Sequence, residues 1–272
     1  MKRKLIIACA CASAAANLPL YAQTDELGPE SQRDTKVTSE IMRLDVEARA
    51  DFQWLHPDGG TDDGQTGFKG KYLTMRIDGQ ITDGLTYSWR QRFNKNAGEG
   101  SFFDATDWVY LNYYVDRWNL QVGKEVVAIG GYEYDRNPID LYQCSVFWNN
   151  VPCYQFGVSA GYDITPTDRL TFQVVQSPFH TKDNSNMYGY NLMWSGNHGF
   201  YQSLWTANLF EYAKGKYINY FSLGNKFTVD KVWLELDFMN RAASHQAFLL
   251  KDCSVMAELS YNPTRSWRVF GK

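Results

Sequence analysis

Charged side chains recur at every second position of a segment near the start of the chain. One apolar residue separates each of the four charged residues Arg43, Asp45, Glu47 and Arg49 from the next. A β-strand places such a set on one face, because its successive side chains point to opposite sides. A row of fixed charges beside an aqueous path orients ions and sets ion preference through its local field. The spacing therefore predicts electrostatic contact with small solutes.

The same alternation brings charges to one face of later strands. The candidate pore-lining residues are Arg43, Arg49, Arg76, Arg90, Arg92, Asp45, Glu47, Asp78, Glu235 and Asp237. Arg76, Arg90 and Arg92 cluster on adjacent predicted strands and are the better candidates for anion contact, because guanidinium groups bind oxyanions well. In the alternative interpretation, these charges only pair with one another across the strands.

One long connection interrupts the strand pattern. Residues 124–153 read KEVVAIGGYEYDRNPIDLYQCSVFWNNVPC, and a loop this long in a compact architecture is usually functional or disordered. Its aromatic and apolar content argues against disorder. We predict that it folds inside a β-barrel and narrows a pore. Its charged residues are Lys124, Glu125, Glu133, Asp135, Arg136 and Asp140.

Three cysteines follow the N-terminal segment: Cys144, Cys153 and Cys253. An exported protein can form disulfides, and a bridge between Cys144 and Cys153 could close the end of the insertion, leaving Cys253 unpaired. Free or buried thiols are an equal alternative.

The elements that must carry these residues are strands. After residue 40 the alternation predicts about 13 strands of the length that a tilted membrane-crossing strand requires. Most of their connections alternate between long and tight, and the insertion is the third of the long set. Long outer loops and tight periplasmic turns are typical of outer-membrane barrels, whereas Greek-key sandwiches have no reason to show them. We predict an all-β fold, a transmembrane antiparallel up-and-down β-barrel.

The N-terminus predicts export. Lys2, Arg3 and Lys4 precede an apolar run, and we expect a signal peptide over residues 1–22, cleaved after Ala22. Residues 23–39 are polar without periodicity and predict a flexible periplasmic lead-in, so that residues 40–272 form the barrel. Cleavage changes the formal net charge from −3 to −6, which argues against a nucleic-acid partner. No apolar run reaches the length of a membrane helix.

Several motifs together resemble the phosphate-selective porin O and P family, particularly its Bacteroidota members. They are Gly123-Lys124, Gly130-Gly131-Tyr132-Glu133-Tyr134, Asn137-Pro138-Ile139-Asp140, residues 220–227 and residues 235–241. The resemblance covers roughly residues 40–272. It implies an outer-membrane porin of about sixteen strands, a homotrimer whose third outer loop folds into the lumen. Because the chain stops at Lys272 early in a strand, we expect a C-terminally truncated barrel lacking about three strands.

The family name suggests phosphate, but the insertion departs from an arginine- and lysine-dominated constriction. Its two basic residues, Lys124 and Arg136, are outnumbered by four acidic ones. We therefore predict passive diffusion of small hydrophilic or ionic solutes, anions such as phosphate among them, without phosphate selectivity.

Enzymatic signals are weak. Residues 157–161 match the G-x-S-x-G pattern of hydrolases, but they lie inside an alternating strand and not on a strand-to-helix turn. The four histidines lack ligand spacing, so we predict neither a metal site nor a cofactor. Two alternatives stay open. An outer-membrane barrel hydrolase would need a Ser/His pair near the membrane rim, and an exported soluble carbohydrate-binding β domain would stay soluble without detergent.

Overall fold

The protein is described by a computed structural model for residues 6–12, 42–56, 66–95, 101–141, 144–181, 185–248, 251–264 and 267–272. Its strands are β1 (Ile6–Ala12), β2 (Arg43–His56), β3 (Gly67–Thr82), β4 (Leu85–Arg92), β5 (Thr106–Val115), β6 (Trp118–Val126), β7 (Tyr154–Asp163), β8 (Asp168–Gln176), β9 (Tyr188–Asn197), β10 (Tyr201–Ala213), β11 (Lys216–Val229), β12 (Val232–Ala243), β13 (Cys253–Thr264) and β14 (Trp267–Gly271). The helical segments are α1 (Tyr132–Asp135), α2 (Val146–Asn150) and the 3₁₀ turns Phe102–Asp104 and Pro138–Asp140.

The strands form one antiparallel sheet in which neighbours in sequence are neighbours in space. The order runs from β1 to β14 without a crossover. This confirms the predicted all-β, up-and-down architecture, and β2–β14 correspond to the predicted barrel strands. The described sheet is open, since β1 and β14 each pair with one strand only.

β1 lies within the predicted signal peptide and pairs antiparallel with β2, from Ile6 opposite His56 to Ala12 opposite Ala50. Removal of the signal peptide, as predicted, would leave β2 as the edge strand. The cleavage itself stays a prediction.

Connection lengths follow the predicted alternation over most of the sheet. The connections after β2, β4, β6, β8 and β12 are long, whereas those after β3, β5, β7, β9, β11 and β13 are short. The connection after β10, residues 214–215, is tight and breaks the series. Tight turns need residues that tolerate a positive φ, and Gly84 (84°), Asp116 (53°) and Asp230 (50°) supply it.

The two faces of the sheet differ in polarity. Leu44, Val46, Val122 and Val158 lie on the outer face and are 51–55% exposed. The charged and amide residues between such apolar positions lie on the inner face, where many are buried. An apolar outside and a polar inside are what a lipid-embedded barrel requires. In the described residues, no helix is both long enough and apolar enough to span a membrane.

The apolar core lies on the inner face, beneath the long connection between β6 and β7. Val127, Ile129 and Tyr134 of this connection are buried against Phe210 and Tyr220 of the sheet. Because these wall residues are apolar, they provide a place for an apolar loop segment to dock.

Candidate pore constriction

The connection between β6 and β7, residues 127–153, folds onto the inner face; we call it the constriction loop. All its residues from Val127 to Asp135 are buried. Local sequence explains its shape. Gly131 adopts a φ of 102°, which is strained for other residues. The Asn137 side chain accepts the amide N–H of Ile139 at 3.3 Å, with Pro138 at the first position of the 3₁₀ turn.

The start of the loop is held by a row of amide and hydroxyl side chains on β8, β9 and β10. Gln173 accepts the Ala128 N–H at 2.8 Å and donates to the Val126 carbonyl at 2.8 Å. Asn191 donates to Gln173 at 2.8 Å, and Asn208 donates to Asn191 at 2.8 Å and to the Ala128 carbonyl at 2.7 Å. The polar backbone of this buried segment is thereby satisfied by the wall. We call Gln173, Asn191 and Asn208 the amide row.

Glycines allow the loop backbone to touch the wall. A Cβ atom added at Gly224 of β11 would lie 2.8 Å from the Cα of Gly131 and 3.0 Å from the Leu204 carbonyl oxygen. A Cβ atom at Gly130 would lie 2.6 Å from the same oxygen. These contacts involve backbone atoms that cannot rotate away, so the close approach requires glycine on both surfaces.

The middle of the loop is bound to β12 and β13 through carboxylates. Asp237 accepts the amide N–H groups of Tyr132 at 2.9 Å and Glu133 at 2.8 Å. Arg136 donates to Glu258 at 2.6 Å and also to Glu235. These two glutamates are almost completely buried, so their charges require the guanidinium partner.

The opposite part of the inner face, on β2 and β4, binds the next loop residues. Arg49 donates to the carbonyl oxygens of Ile139 at 2.7 Å and Leu141 at 3.0 Å. Arg90 donates to the Asn137 side-chain oxygen at 2.6 Å. The loop is therefore tied to both ends of the described sheet, at β12–β13 and at β2–β4.

The predicted pore-lining residues lie on the inner face, but most of their charges are paired. Arg49 and Asp51 form a buried bidentate pair at 2.7 Å. Arg76 binds Asp78 at 2.6 Å. Arg43 likewise binds Asp45, while Glu47 lies 3.3 Å from the Asn137 amide.

The three arginines predicted as anion contacts each bind a carboxylate. Arg92 lies 2.6 Å from Asp107, and Arg90 lies 3.4 Å from the same residue and 3.7 Å from Glu47. Together with the Arg76–Asp78 pair, this arrangement matches the alternative in which the charges pair with one another. Among the predicted carboxylates, Glu47, Glu235 and Asp237 join the arginines in contacting the loop directly.

Two residues assigned to the loop from the sequence belong to a strand. β6 continues to Val126, because Lys124 and Glu125 pair with Phe156 and Gln155 of β7. Lys124 shares the outer face with Val122, and Glu125 turns inward to accept hydrogen bonds from Gln121 and Ser159. The prediction that Lys124 belongs to the constriction is therefore wrong, because its side chain lies on the outer face. Glu125 lies on the inner face but in the strand.

The other charged loop residues have separate environments. Glu133 is buried and accepts the Ser145 N–H at 2.9 Å, while its carboxylate also contacts Lys272. Asp135 is buried, whereas Asp140 is exposed. The acidic excess expected from the sequence is reduced, because Glu133 is neutralised by a cation outside the loop.

The three cysteines are free thiols, so the bridge between Cys144 and Cys153 is not formed. Cys144 is exposed, while Cys153 packs against the apolar core. Burial raises the pKa of Cys153 to about 11. Burial and the nearby Glu133 carboxylate raise the pKa of Cys144.

The G-x-S-x-G segment lies inside β7, as the alternation predicted. Ser159 pairs with Gln121 on one side and Gln173 on the other. Its hydroxyl donates to Glu125 at 2.9 Å. Ser159 is therefore a strand residue with a carboxylate partner and does not lie on a strand-to-helix turn.

The sequence interpretation missed the amide row. Gln173 lies on the polar face of a predicted strand, but Asn191 and Asn208 fall in the region where the alternation is weakest. The signal that could have found them is the antiparallel register, which puts Gln173 opposite Asn191 and Asn191 opposite Asn208.

An antiparallel meander with an apolar outside, a polar inside and a long connection folded onto the inner face defines the class of outer-membrane barrels. Comparison with known proteins agrees. Residues 42–252 match the family described as phosphate-selective porin O and P. The chain belongs to this family, which places it among the porins of the outer membrane.

A solved structure of a mutant Rh. blastica porin is similar to the chain at 11% identity. The match covers 85% of this chain and 93% of that one, with a TM-score of 0.43. Comparison with the curated proteins found no match.

Proposed function

We propose that the protein is a passive diffusion channel for small hydrophilic or ionic solutes, in which the constriction loop narrows the pore. The observation that carries the proposal is the attachment of the loop to two separated parts of the inner face. Arg136 binds it to β13 through Glu258, and Arg49 of β2, near the other end of the sheet, donates to the Ile139 carbonyl of the loop. A loop segment tied to both ends of the sheet across a polar interior restricts the free cross-section.

Selectivity among ions should be weak. Strong anion preference needs cations that face the path without a fixed counter-charge. Arg76, Arg90 and Arg92 instead each bind a carboxylate within 2.6–3.4 Å. Paired charges leave a small net field, so anions such as phosphate should pass among other solutes and without preference.

We also propose that the channel lies in the outer membrane. We expect export with cleavage of residues 1–22, a periplasmic lead-in over residues 23–39, and insertion of the remaining chain into outer-membrane lipid. The long connections then lie outside the cell and the tight turns in the periplasm. A homotrimer is the assembly that the family resemblance implies. An enzymatic role has no support from Ser159, whose hydroxyl partner is a carboxylate.

Planar bilayer recording tests the channel. The full chain, extracted from outer membranes in detergent, should give stepwise conductance and a reversal potential close to zero in a KCl gradient. The substitution Arg92→Gln removes one of the two arginines paired with Asp107 and leaves Arg90. Because the inner face then loses one positive charge, the reversal potential should shift toward cation preference. Arg117→Gln, at the turn after β5, is the matched control and should change neither quantity.

A strong anion preference of the wild-type channel would overturn the weak selectivity. Absence of any conductance from heat-modifiable, folded protein would overturn the channel itself. Solubility of the signal-free chain without detergent would instead favour the carbohydrate-binding alternative.

A further inference from the structure

A lysine, Lys124, lies on the outer face of the sheet, and its neighbours in the same row across the strands are apolar. The strand register places Trp89, Val109, Lys124 and Phe156 in one row across β4, β5, β6 and β7. An ammonium group at the lipid-facing surface is unfavourable unless it reaches polar atoms or an anion.

The Lys124 ammonium group is oriented by backbone oxygens. It donates to the Thr106 carbonyl at 2.7 Å and to the Phe103 carbonyl. Lys95 approaches the same segment, since its Nζ atom lies 3.5 Å from the Asp104 carbonyl oxygen. An ammonium group has three N–H donors, so Lys124 retains one beyond these two bonds. Within the described ranges neither lysine has a carboxylate oxygen within ion-pair distance.

Aromatic rings surround this pair of lysines. Phe102 stands 6.4 Å from Trp89, and Phe103 stands 5.4 Å from Phe156, measured between ring centroids. Phe102, Phe103 and Phe156 are 43–59% exposed. Aromatic side chains at the end of a barrel strand lie at the membrane interface, the depth at which lipid headgroups begin.

An apolar groove of about 460 Å³ begins directly beside this row on the outer face. Leu111, Val122 and Val158 lie two residues along the strands from Val109, Lys124 and Phe156. Ala160 lines the groove and is a small residue whose register neighbours, Leu120 and Phe172, also line it. On β6 the groove is lined by Val122 and Leu120, and Leu120 lies roughly 13 Å along the strand from Lys124, at about 3.3 Å per residue.

We propose that this surface binds a phosphorylated, acylated lipid of the membrane leaflet next to the long connections. The phosphate is held by the ammonium groups of Lys124 and Lys95, and one acyl chain lies in the groove at Ala160. Charge complementarity selects the headgroup, because two cations at the headgroup depth attract an anionic lipid. The apolar groove that continues from them selects an acylated molecule over a free anion. The site rests on the proposed membrane insertion, and it lies outside the pore.

Lipid retention measured by native mass spectrometry tests the site. The full chain, purified from outer membranes in detergent, is incubated with bis-phosphorylated lipid A, with its dephosphorylated form, or with inorganic phosphate. Two variants are compared with the wild type. The double variant Lys95→Gln/Lys124→Gln removes both cations, and Ala160→Leu fills the groove and leaves the charge unchanged. Lys214→Gln, in the tight turn after β10, is the control. Heat-modifiable gel mobility verifies folding, and bilayer conductance is recorded in parallel.

Wild type should retain one bis-phosphorylated lipid. Retention should fall about thirtyfold in the double lysine variant and about tenfold in Ala160→Leu, with Lys214→Gln unchanged. Equal retention of the dephosphorylated lipid, or equal retention by wild type and both site variants, would overturn the proposal. Competition by inorganic phosphate at millimolar concentration would also overturn it, because the site would then bind a free anion.

Conductance separates this proposal from the channel. All folded variants should conduct like wild type, since Lys124 and Ala160 lie on the outer face, and Lys95 and Lys214 lie in connections outside the strands. Loss of lipid retention with normal conductance leaves the channel intact. If neither the wild type nor any variant conducts while lipid retention is normal, the proposed channel function is contradicted and the lipid site is unaffected.

Discussion

Replacing Arg136 by glutamine should release the constriction loop from β12 and β13. The Arg136 guanidinium bridges Glu235 and Glu258, whose side chains are 4% and 1% exposed. Removing one partner of a buried ion pair costs about 3–5 kcal/mol, chiefly because a buried charge loses its compensation. Here each glutamate keeps a second cation, Lys226 at 3.3 Å from Glu235 and Arg268 beside Glu258. We therefore expect the lower value, about 3 kcal/mol.

Hydrogen exchange of the loop measures this change. The amide N–H groups of Tyr132 and Glu133 both donate to Asp237, so they exchange only when the loop leaves the wall. A loss of about 3 kcal/mol should raise their exchange rates on the order of a hundredfold. The double substitution Arg136→Gln with Glu258→Gln should recover part of the protection, because removing both partners costs less than removing one.

An exposed pair of the same chemistry supplies the control. Arg241 and Asp252 are 38% and 46% exposed, and exposed pairs contribute about 0–1 kcal/mol. Arg241→Gln should therefore change the exchange of Tyr132 and Glu133 by less than about fivefold. Unchanged exchange at these two amides in Arg136→Gln would refute the reasoning, since the bridge would then contribute nothing to holding the loop.

Three further predictions concern the loop. Gly224→Ala should move the loop off the wall and increase current noise in single-channel records, whereas Gly70→Ala, where an added Cβ meets nothing within 4 Å, should leave the records unchanged. Asn208→Ala should raise the loop's exchange by about tenfold or more, since it removes three buried hydrogen bonds, one of them to the loop itself; an exchange rate equal to wild type would contradict this. Because burial raises the pKa of Cys153 to about 11, its thiolate fraction at pH 8 is small, and maleimide should alkylate it roughly a hundredfold more slowly than exposed Cys253. Equal rates in mass spectra would show that Cys153 is not buried in the membrane-inserted protein.

The strands could be predicted from the sequence because lipid and lumen impose opposite polarities on alternate residues. The first predicted strand, residues 42–54, corresponds to β2 at Arg43–His56, and most of the later strands are located equally well. The error at the end of β6 has a physical cause. Residues 124–126 carry no turn signal, and only pairing with β7, a non-local contact, shows that the strand continues through them.

Some of the ion pairs on the inner face could be predicted from the sequence. Arg43, Arg49 and Arg76 are each followed two positions later by an aspartate, and in a strand that spacing puts both side chains on one face. The structure forms all three of these pairs. The partners of Arg90 and Arg136 could not be predicted, because they depend on where β5 and the loop lie relative to those residues.

The charges that hold the loop cannot also act on solutes at full strength. Arg49 and Asp237 direct their polar atoms to the loop backbone, and Arg136 is shared between two buried glutamates. Each such contact reduces the field that a passing ion experiences, because a paired charge acts on its surroundings as a dipole. Under the proposed function, the position of the loop should therefore decide permeation through size more than through charge. Variants that move the loop should change conductance more than variants that remove a peripheral charge of the inner face.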